Sequence, residues 1–276
     1  MGIPDEALFA VARVQSTFAD DQDRETVAFG AGFWLFTSEK RSVFITNRHA
    51  VDPRASTAFG SHYRTKRVAI QLRERATPGP YGPGVRYFVP KGLARVLWVH
   101  DRADVAMLAV EDWTGDCGPY AAPIGIHEAD VAGATAFATE LEAADPAMFA
   151  GLPTSWADDE WTLPIARTAC IASRPSVPYR HASITTDDTL LVSSGSFGGS
   201  SGSPVWVARR NREKRVLPRR LVGILSGRFD EEGVQGSAGL SYLTRSTSIL
   251  ELLASARDSS FARSTPFDGL HPMAKI

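Results

Sequence analysis

What most constrains this chain is its punctuation. Apolar or alternating runs of four to eight residues recur along nearly its whole length, separated by Gly, Pro, Asp or other charged residues. Runs this short at this spacing read as strands of an all-β barrel or sandwich. One series falls at 9–14, 32–36, 42–46, 68–72, 94–99 and 105–110. A second falls at 134–138, 147–150, 166–173, 189–193, 204–207, 221–226 and 239–243. Between them, 111–132 is rich in Gly, Pro and Asp. That break divides the chain into an N-terminal β unit over 1–120 and a C-terminal β unit over 121–256. One helix is expected at 246–256, where Ile249, Leu252 and Leu253 fall at i, i+3 and i+4 and Ser246 or Thr247 stands ready to cap. Residues 257–276 have no sustained period and read as a loose tail.

Composition narrows the function. With 43% hydrophobic residues among 276, the chain has enough apolar surface to offset chain entropy, which excludes disorder as its main state. Thirty basic against 31 acidic residues leave a net charge of -1, and a dedicated nucleic-acid binder carries a basic excess. No run approaches the roughly 20 apolar residues of a membrane span. The first residues lack the basic and apolar regions of a secretory signal. Two cysteines, Cys117 and Cys170, cannot form a disulfide scaffold, and no metal-ligand spacing is present. The expectation is a soluble, cytoplasmic protein with no cofactor, metal or membrane partner.

Three positions carry the chemistry. In Gly199-Ser200-Ser201-Gly202-Ser203-Pro204 a serine lies on a glycine-rich turn before a strand. Glycines there permit unusual dihedrals and close approach of a substrate. The N–H groups of Gly199 and Ser201 could both face a developing oxyanion. A Gly/Ser-rich turn in a β protein is the plain alternative. A serine hydroxyl needs a base, and His49, just past the apolar run 43–46, is the best placed of six histidines. A histidine base in turn needs a carboxylate. Asp104 opens the run 105–110, where an unpartnered acid would be costly; Asp101 is the runner-up. The order is His49, Asp104, Ser201, with spacings of 55 and 97 residues. This places His and Asp in the first unit and Ser in the second, so the site would lie in the cleft between them.

With these residues in view, the chain resembles the chymotrypsin/trypsin-like serine proteases, and within them the bacterial and viral trypsin-like peptidases. The matching pieces are GAGFWLF (30–36), FITNRHAV (44–51), HDRADVAMLAV (100–110), PIARTACIAS (164–173), SFGGSSGSPVW (196–206) and VGILSGR (222–228), in family order. The resemblance implies two packed six-stranded antiparallel β-barrels with a short C-terminal helix. It implies a serine endopeptidase acting through an acyl-enzyme on a protein or peptide substrate. His49 would be the general base, Asp104 would orient it, Ser201 would attack, and Gly199 with Ser201 would form the oxyanion hole. Ser226 matches the family serine that hydrogen-bonds the aspartate. The strand Leu225, Ser226, Gly227 and Arg228 would pair with the substrate backbone. Gly195, Ser196, Phe197 and Gly198 would wall the primary pocket.

The chain also departs from that family. Digestive members carry an acid just before the nucleophile, where Ser200 stands here, and no Ile-Val-Gly-Gly-like run exists near the N-terminus. Activation by N-terminal cutting is therefore not expected, and as in the HtrA-like branch a regulatory protein partner or ligand could order the loop. No PDZ module is expected in the residues after Leu250. Gly195 replaces the acid of trypsin-type pockets, so a small or medium apolar residue before the cut is expected. Asp230, Glu231 and Glu232 could reach a basic side chain or form a solvated turn. Two stretches are lopsided in charge: Glu128 to Ala166 holds eight acids and no Lys or Arg, and Arg209 to Arg220 holds seven basic residues against Glu213. The alternatives to an enzyme are a catalytically silent binding module, or docking of nucleic acid or a partner through the basic hairpin 209–220.

Overall fold

Short strands buried on both faces, such as those at 42–46, 146–151, 189–193 and 204–207, build much of this protein. The computed structural model describes residues 8–39, 41–56, 58–59, 61–75, 85–88, 94–110, 125–154, 163–182, 184, 186–207, 219–230 and 237–258. The first unit holds β1 (Val11–Ala19), β2 (Glu25–Phe36), β3 (Ser42–Thr46), β4 (Arg64–Ile70), β5 (Leu72–Arg75), β6 (Val85–Phe88), β7 (Ala94–Val99), β8 (Ala106–Val110) and β9 (Ile126–His127). After a short helix α1 (Ala134–Thr139) come β10 (Pro146–Gly151), β11 (Ile165–Ile171), β12 (Thr189–Ser193), β13 (Pro204–Val207), β14 (Arg220–Asp230) and β15 (Ser237–Arg245). Helix α2 (Ser246–Asp258) ends the described chain.

The second unit is a closed barrel of six antiparallel strands, in the order β10-β11-β12-β15-β14-β13. The first is a curled sheet in the order β4-β1-β2-β3-β8-β7, with β9 added in parallel to β2. Among the described residues no pairing joins β4 to β7, so its six antiparallel strands form a barrel left open along one line. β5 and β6 form a separate hairpin.

Side-chain alternation explains the near-continuous apolar runs. On β2, Trp34 packs inside the first unit with Phe44, Val14 and Leu108, while Ala31, Phe33 and Leu35 face the opposite way. That second face joins Val43, Ile45, Val105 and Met107 to Met148, Leu152, Trp206 and Ile224 from the other unit. The seam between the units is therefore one apolar core, not a wet interface. Helix α2 closes it, with Ile249, Leu252, Leu253 and Ala256 all at 0–1% exposure, as the i, i+3, i+4 spacing demands. Its first hydroxyls are engaged with neighbouring groups: Ser246 Oγ donates to the Ala132 carbonyl and Ser248 Oγ to Asp188.

One expected strand is a helix. Residues 134–138 lie in α1, an alanine-rich stretch that favours a helix and buries Ala136 and Phe137. The basic run 209–218, the acids 158–160, Glu231, Glu232, Cys117 and the segment 259–276 lie outside the described residues. Of the acidic stretch, Glu128, Asp130, Glu140, Glu142 and Asp145 are described, and Glu128 is bound by Arg257 of α2.

Candidate active site

His49 sits on a single 3-10 turn, Arg48–Ala50, one residue past the end of β3. Asp104 lies two residues before β8, the strand paired to β3. Adjacent strand ends thus bring the two together. The carboxylate of Asp104 takes both of its hydrogen bonds from His49: the backbone N–H reaches Oδ1 at 2.9 Å and ring Nδ1 meets Oδ2 at 2.8 Å. An ionised carboxylate only accepts, so Nδ1 carries the proton and Nε2 is left with a lone pair. Burial works to lower the His49 pKa, but the adjacent charge and hydrogen bond of Asp104 outweigh it and hold the ring above its ordinary value. The carboxylate of Asp101 lies instead 3.4 Å from His100 Nδ1 and 3.9 Å from Arg102, and its carbonyl accepts from Arg48 at 2.9 Å.

The pair is braced by residues that the sequence motifs passed over. Asn47 Nδ2 lies 2.9 Å from both the Asp104 carbonyl and Ser226 Oγ. Arg48 donates through one nitrogen to the carbonyls of His100 (3.0 Å) and Asp101, and through the others to buried Asp52. His100, only 2% exposed, accepts the N–H groups of Arg102 (3.3 Å) and Ala103 (3.0 Å) at Nδ1 and meets Glu251 of α2 at Nε2 (3.1 Å). The expected bond from Ser226 to Asp104 is absent. Ser226 Oγ instead meets Asn47 Nδ2 (2.9 Å) and Thr244 Oγ1 (2.8 Å).

Ser201 reaches the same place from the second unit. Its carbonyl accepts the Ala31 N–H of β2 at 2.6 Å, while the Ala31 carbonyl accepts the hydroxyl of Thr46, three residues before His49. The loop's shape depends on positive φ at Gly199 (+88°) and Gly202 (+91°). A Cβ at Gly202 would fall 1.8 Å from the Ala31 carbonyl oxygen, and one at Gly199 2.5 Å from Thr154 Oγ1. Neither the Gly199 nor the Ser201 N–H donates to any group among the described residues. The Gly198 carbonyl is held by the Thr154 N–H at 3.0 Å, so the planar trans peptide turns the Gly199 N–H the other way. Among the described residues no hydrogen bond joins Ser201 Oγ to His49. Ser200 is 1% exposed and its hydroxyl has no partner among the described residues.

Near Ser201, Ser196 is buried and Phe197 is exposed under the guanidinium of Arg167, 4.6 Å from the ring centroid. Ser241 Oγ bridges the Ser194 carbonyl and Ser196 Oγ. Arg228 reaches across from β14 to the Ser196 carbonyl at 3.2 Å. Strand β13 pairs with β14 only as far as Ile224, and Leu225 bonds Gly202 and Ser203. Beyond that, Ser226, Gly227 and Arg228 present an edge bordering the cleft that His49 and Asp104 line.

Comparison with solved structures matches this architecture. The fold is that of the chymotrypsin-like serine proteases. The active form of the Rv3671c protease from M. tuberculosis superposes with a TM-score of 0.53 at 14% identity, over 98% of this chain and 89% of that one. Deg5 gives 0.52 at 11%, over 90% and 88%. The HtrA-type protease AlgW, solved with a decapeptide, gives 0.53 at 15%, over 92% and 66%. No family model and no curated protein matches the sequence.

Proposed function

We propose that this chain is a serine endopeptidase with Ser201 as nucleophile, His49 as general base and then acid, and Asp104 as the group that orients His49. The observation that carries this reading is the double grip of Asp104 on the His49 backbone and ring, which leaves Nε2 as the basic atom. On substrate binding, Ser201 Oγ attacks the scissile carbonyl and its proton passes to Nε2. The carbonyl oxygen becomes an oxyanion, stabilised by the Gly199 and Ser201 N–H groups that no described residue occupies. His49 then returns the proton to the leaving amine, and water resolves the acyl-enzyme by the same steps. Catalytic hydrogen bonds are often long in an unliganded protease and tighten with substrate, which accommodates the unbonded Ser201 hydroxyl. A peptide substrate also fits the cleft bordered by Ser226 and Gly227 and the peptide-bound HtrA-type neighbour.

The proposal extends to a cytoplasmic, regulated enzyme whose serine loop is ordered by a protein partner or ligand. The low cysteine count supports that setting, and Cys170 is a free thiol. A silent binding module is the second reading, and the missing bond between Ser201 and His49 is what favours it. A fluorophosphonate probe separates the two. Wild-type protein is expected to label and Ser201→Ala and His49→Ala are not. Equal labelling of Ser201→Ala removes the nucleophile assignment, and no labelling of wild type at any pH from 6 to 9 removes the enzyme.

A further inference from the structure

We infer that Asn47 is a positioning residue, which holds the His49–Asp104 pair in register with the strand that anchors the serine loop. The inference rests on the protease reading above and deepens it, because it gives a role to a fully buried side chain outside the reacting atoms.

Asn47 stands where a helix cap belongs. It is the residue ahead of the Arg48–Ala50 turn, and an asparagine there commonly turns its side-chain oxygen back onto the N–H two or three residues on. Asn47 makes no such bond. The N–H two residues on is that of His49, and it goes to Asp104 Oδ1 instead. Asn47 Oδ1 is left buried with no partner among the described residues. An acceptor stranded in a core lowers stability. The same choice leaves the His49 N–H free for one of the two bonds that grip the Asp104 carboxylate.

The amide nitrogen reaches the other way. A carbonyl only accepts, so the end of the amide 2.9 Å from the Asp104 carbonyl is the donor Nδ2. Its other proton serves Ser226 Oγ, also at 2.9 Å. Because Ser226 Oγ accepts there, its own proton is directed to Thr244 Oγ1 at 2.8 Å, nearer than the Ile224 carbonyl at 3.4 Å. Asn47, Ser226 and Thr244 are all buried. The chain of bonds therefore runs from the Asp104 backbone across the seam to β14 and β15. One turn pins Asp104 at both ends, its carbonyl through Asn47 and its carboxylate through His49. On the far side, Ser226 follows Leu225, whose N–H and carbonyl bond Ser203 and Gly202 of the serine loop. Asn47 thus grips the residue that orients the base and, one position from Leu225, the strand that holds the nucleophile loop. A misplacement of about 1 Å between such groups can cost a hundredfold in rate.

The rate at which a small alkyl fluorophosphonate labels Ser201 tests the inference, since this probe reads the activated serine and adds no strand along β14. Asn47→Leu keeps the branched shape without the donors and should slow labelling roughly tenfold to a hundredfold. Ser226→Ala should slow it less. The double variant should be within about twofold of Asn47→Leu alone, because the two residues act as one link. The His49 Nδ1 proton, followed as a downfield line in the proton NMR spectrum, should shift or broaden in Asn47→Leu. Should that variant fail to fold, Asn47→Ser, whose hydroxyl keeps at most one of the two bonds, replaces it in the same cycle with the same expected signs. A variant that loses Tm but labels at the wild-type rate, with its His49 line unmoved, overturns the inference and makes Asn47 a core residue. Losses that multiply in the double variant overturn the link through Ser226. If wild-type protein is not labelled at Ser201, the protease reading falls and this inference with it, whereas a labelled wild type with unaffected variants overturns the inference alone.

Discussion

The proposed acid–base pair and the proposed nucleophile loop are held by different means. Asp104 and His49 are fixed by side chains: two bonds to one carboxylate, Asn47 on the Asp104 carbonyl, Arg48 on the preceding carbonyls and His100 beneath the loop. The serine loop is held by backbone bonds to Ala31, Thr154 and Leu225 and by two glycines at positive φ. Side-chain networks of this density are preorganised, with little freedom to adjust. Among the described residues the loop adds only two side-chain bonds, from Ser203 Oγ to the Ser200 carbonyl (2.6 Å) and from Thr154 Oγ1 to the Gly198 carbonyl (3.4 Å), so it is held less densely than the pair. On the proposed assignment, the comparison teaches where control would act: the base is built with the fold, and the more sparsely held oxyanion site is the adjustable part.

The largest effects should come from breaking the rigid half. Asp104→Asn keeps the shape but presents an amide to Nδ1, so the ring is held in the wrong tautomer. We expect kcat to fall by about 10⁴-fold, the size this substitution has in proteases of the same architecture. The pH dependence gives a sharper check. A base works only when neutral, so activity is lost as pH falls through its pKa. With Asp104 holding that pKa up, the acid limb of wild-type kcat/KM should have its midpoint above about 6.5. Without the carboxylate only burial remains, and the midpoint should move to lower pH. An unshifted limb in Asp104→Asn would show that another group sets it.

Gly199→Ala tests the adjustable half. An added Cβ would strain φ at +88° and collide with Thr154, displacing the N–H offered to the oxyanion. Loss of one such donor typically costs about 10²–10³-fold in kcat. If the loop is as separable from the base as the contacts indicate, the acid-limb midpoint should stay at its wild-type value. A shift in that midpoint would contradict the division drawn above.

How much of this is legible in the sequence depends on how far apart the partners lie. The strands are legible because both of their faces are apolar, and the pairing of His49 with Asp104 because an acid opening a buried strand demands a partner. Helix α1 hides because five small or apolar residues satisfy either period, and its buried residues, Ala136 and Phe137, are neighbours in sequence. Asn47, Arg48 and His100 lie beside the motif residues, yet their roles depend on the Asp104 carbonyl, the 100–101 backbone and Glu251, which topology alone brings near. Ser226 illustrates the opposite case: the resemblance pairs it with Asp104, whereas its Oγ meets Asn47 and Thr244.

His100 carries the next effect in size. Its Nδ1 holds two backbone N–H groups of the turn that delivers Asp104, and its Nε2 ties that turn to α2. His100→Leu would leave those donors buried without an acceptor, at about 1–3 kcal/mol each. Part of that cost should appear as displacement of Asp104, with kcat falling roughly tenfold to a hundredfold and KM little changed. His100→Asn places an amide oxygen near the Nδ1 position and should restore most of kcat. If both variants lose stability equally while kcat is untouched, His100 is a core residue and no positioning residue.

The smallest effect should come from the far end of α2. Arg257 binds Glu39 at the β2–β3 turn and Glu128 beside β9, fastening the helix to the first sheet. Arg257 is the main cause of the low Glu39 pKa of about 2, against an ordinary 4.5. A depressed carboxylate contributes stability above its unfolded value and loses it as pH falls through its folded one. The Tm difference between wild type and Arg257→Ala should thus be fullest at neutral pH and narrow between 4.5 and about 2. All three groups are at the surface, so the neutral-pH difference should be only roughly 1–2 °C. Catalysis should not change, because the bridge braces the sheet and not the turn that His100 holds. A measurable fall in kcat in Arg257→Ala would mean that α2 controls the Asp104 loop along its whole length, and that the rigid half is less independent than its hydrogen bonds suggest.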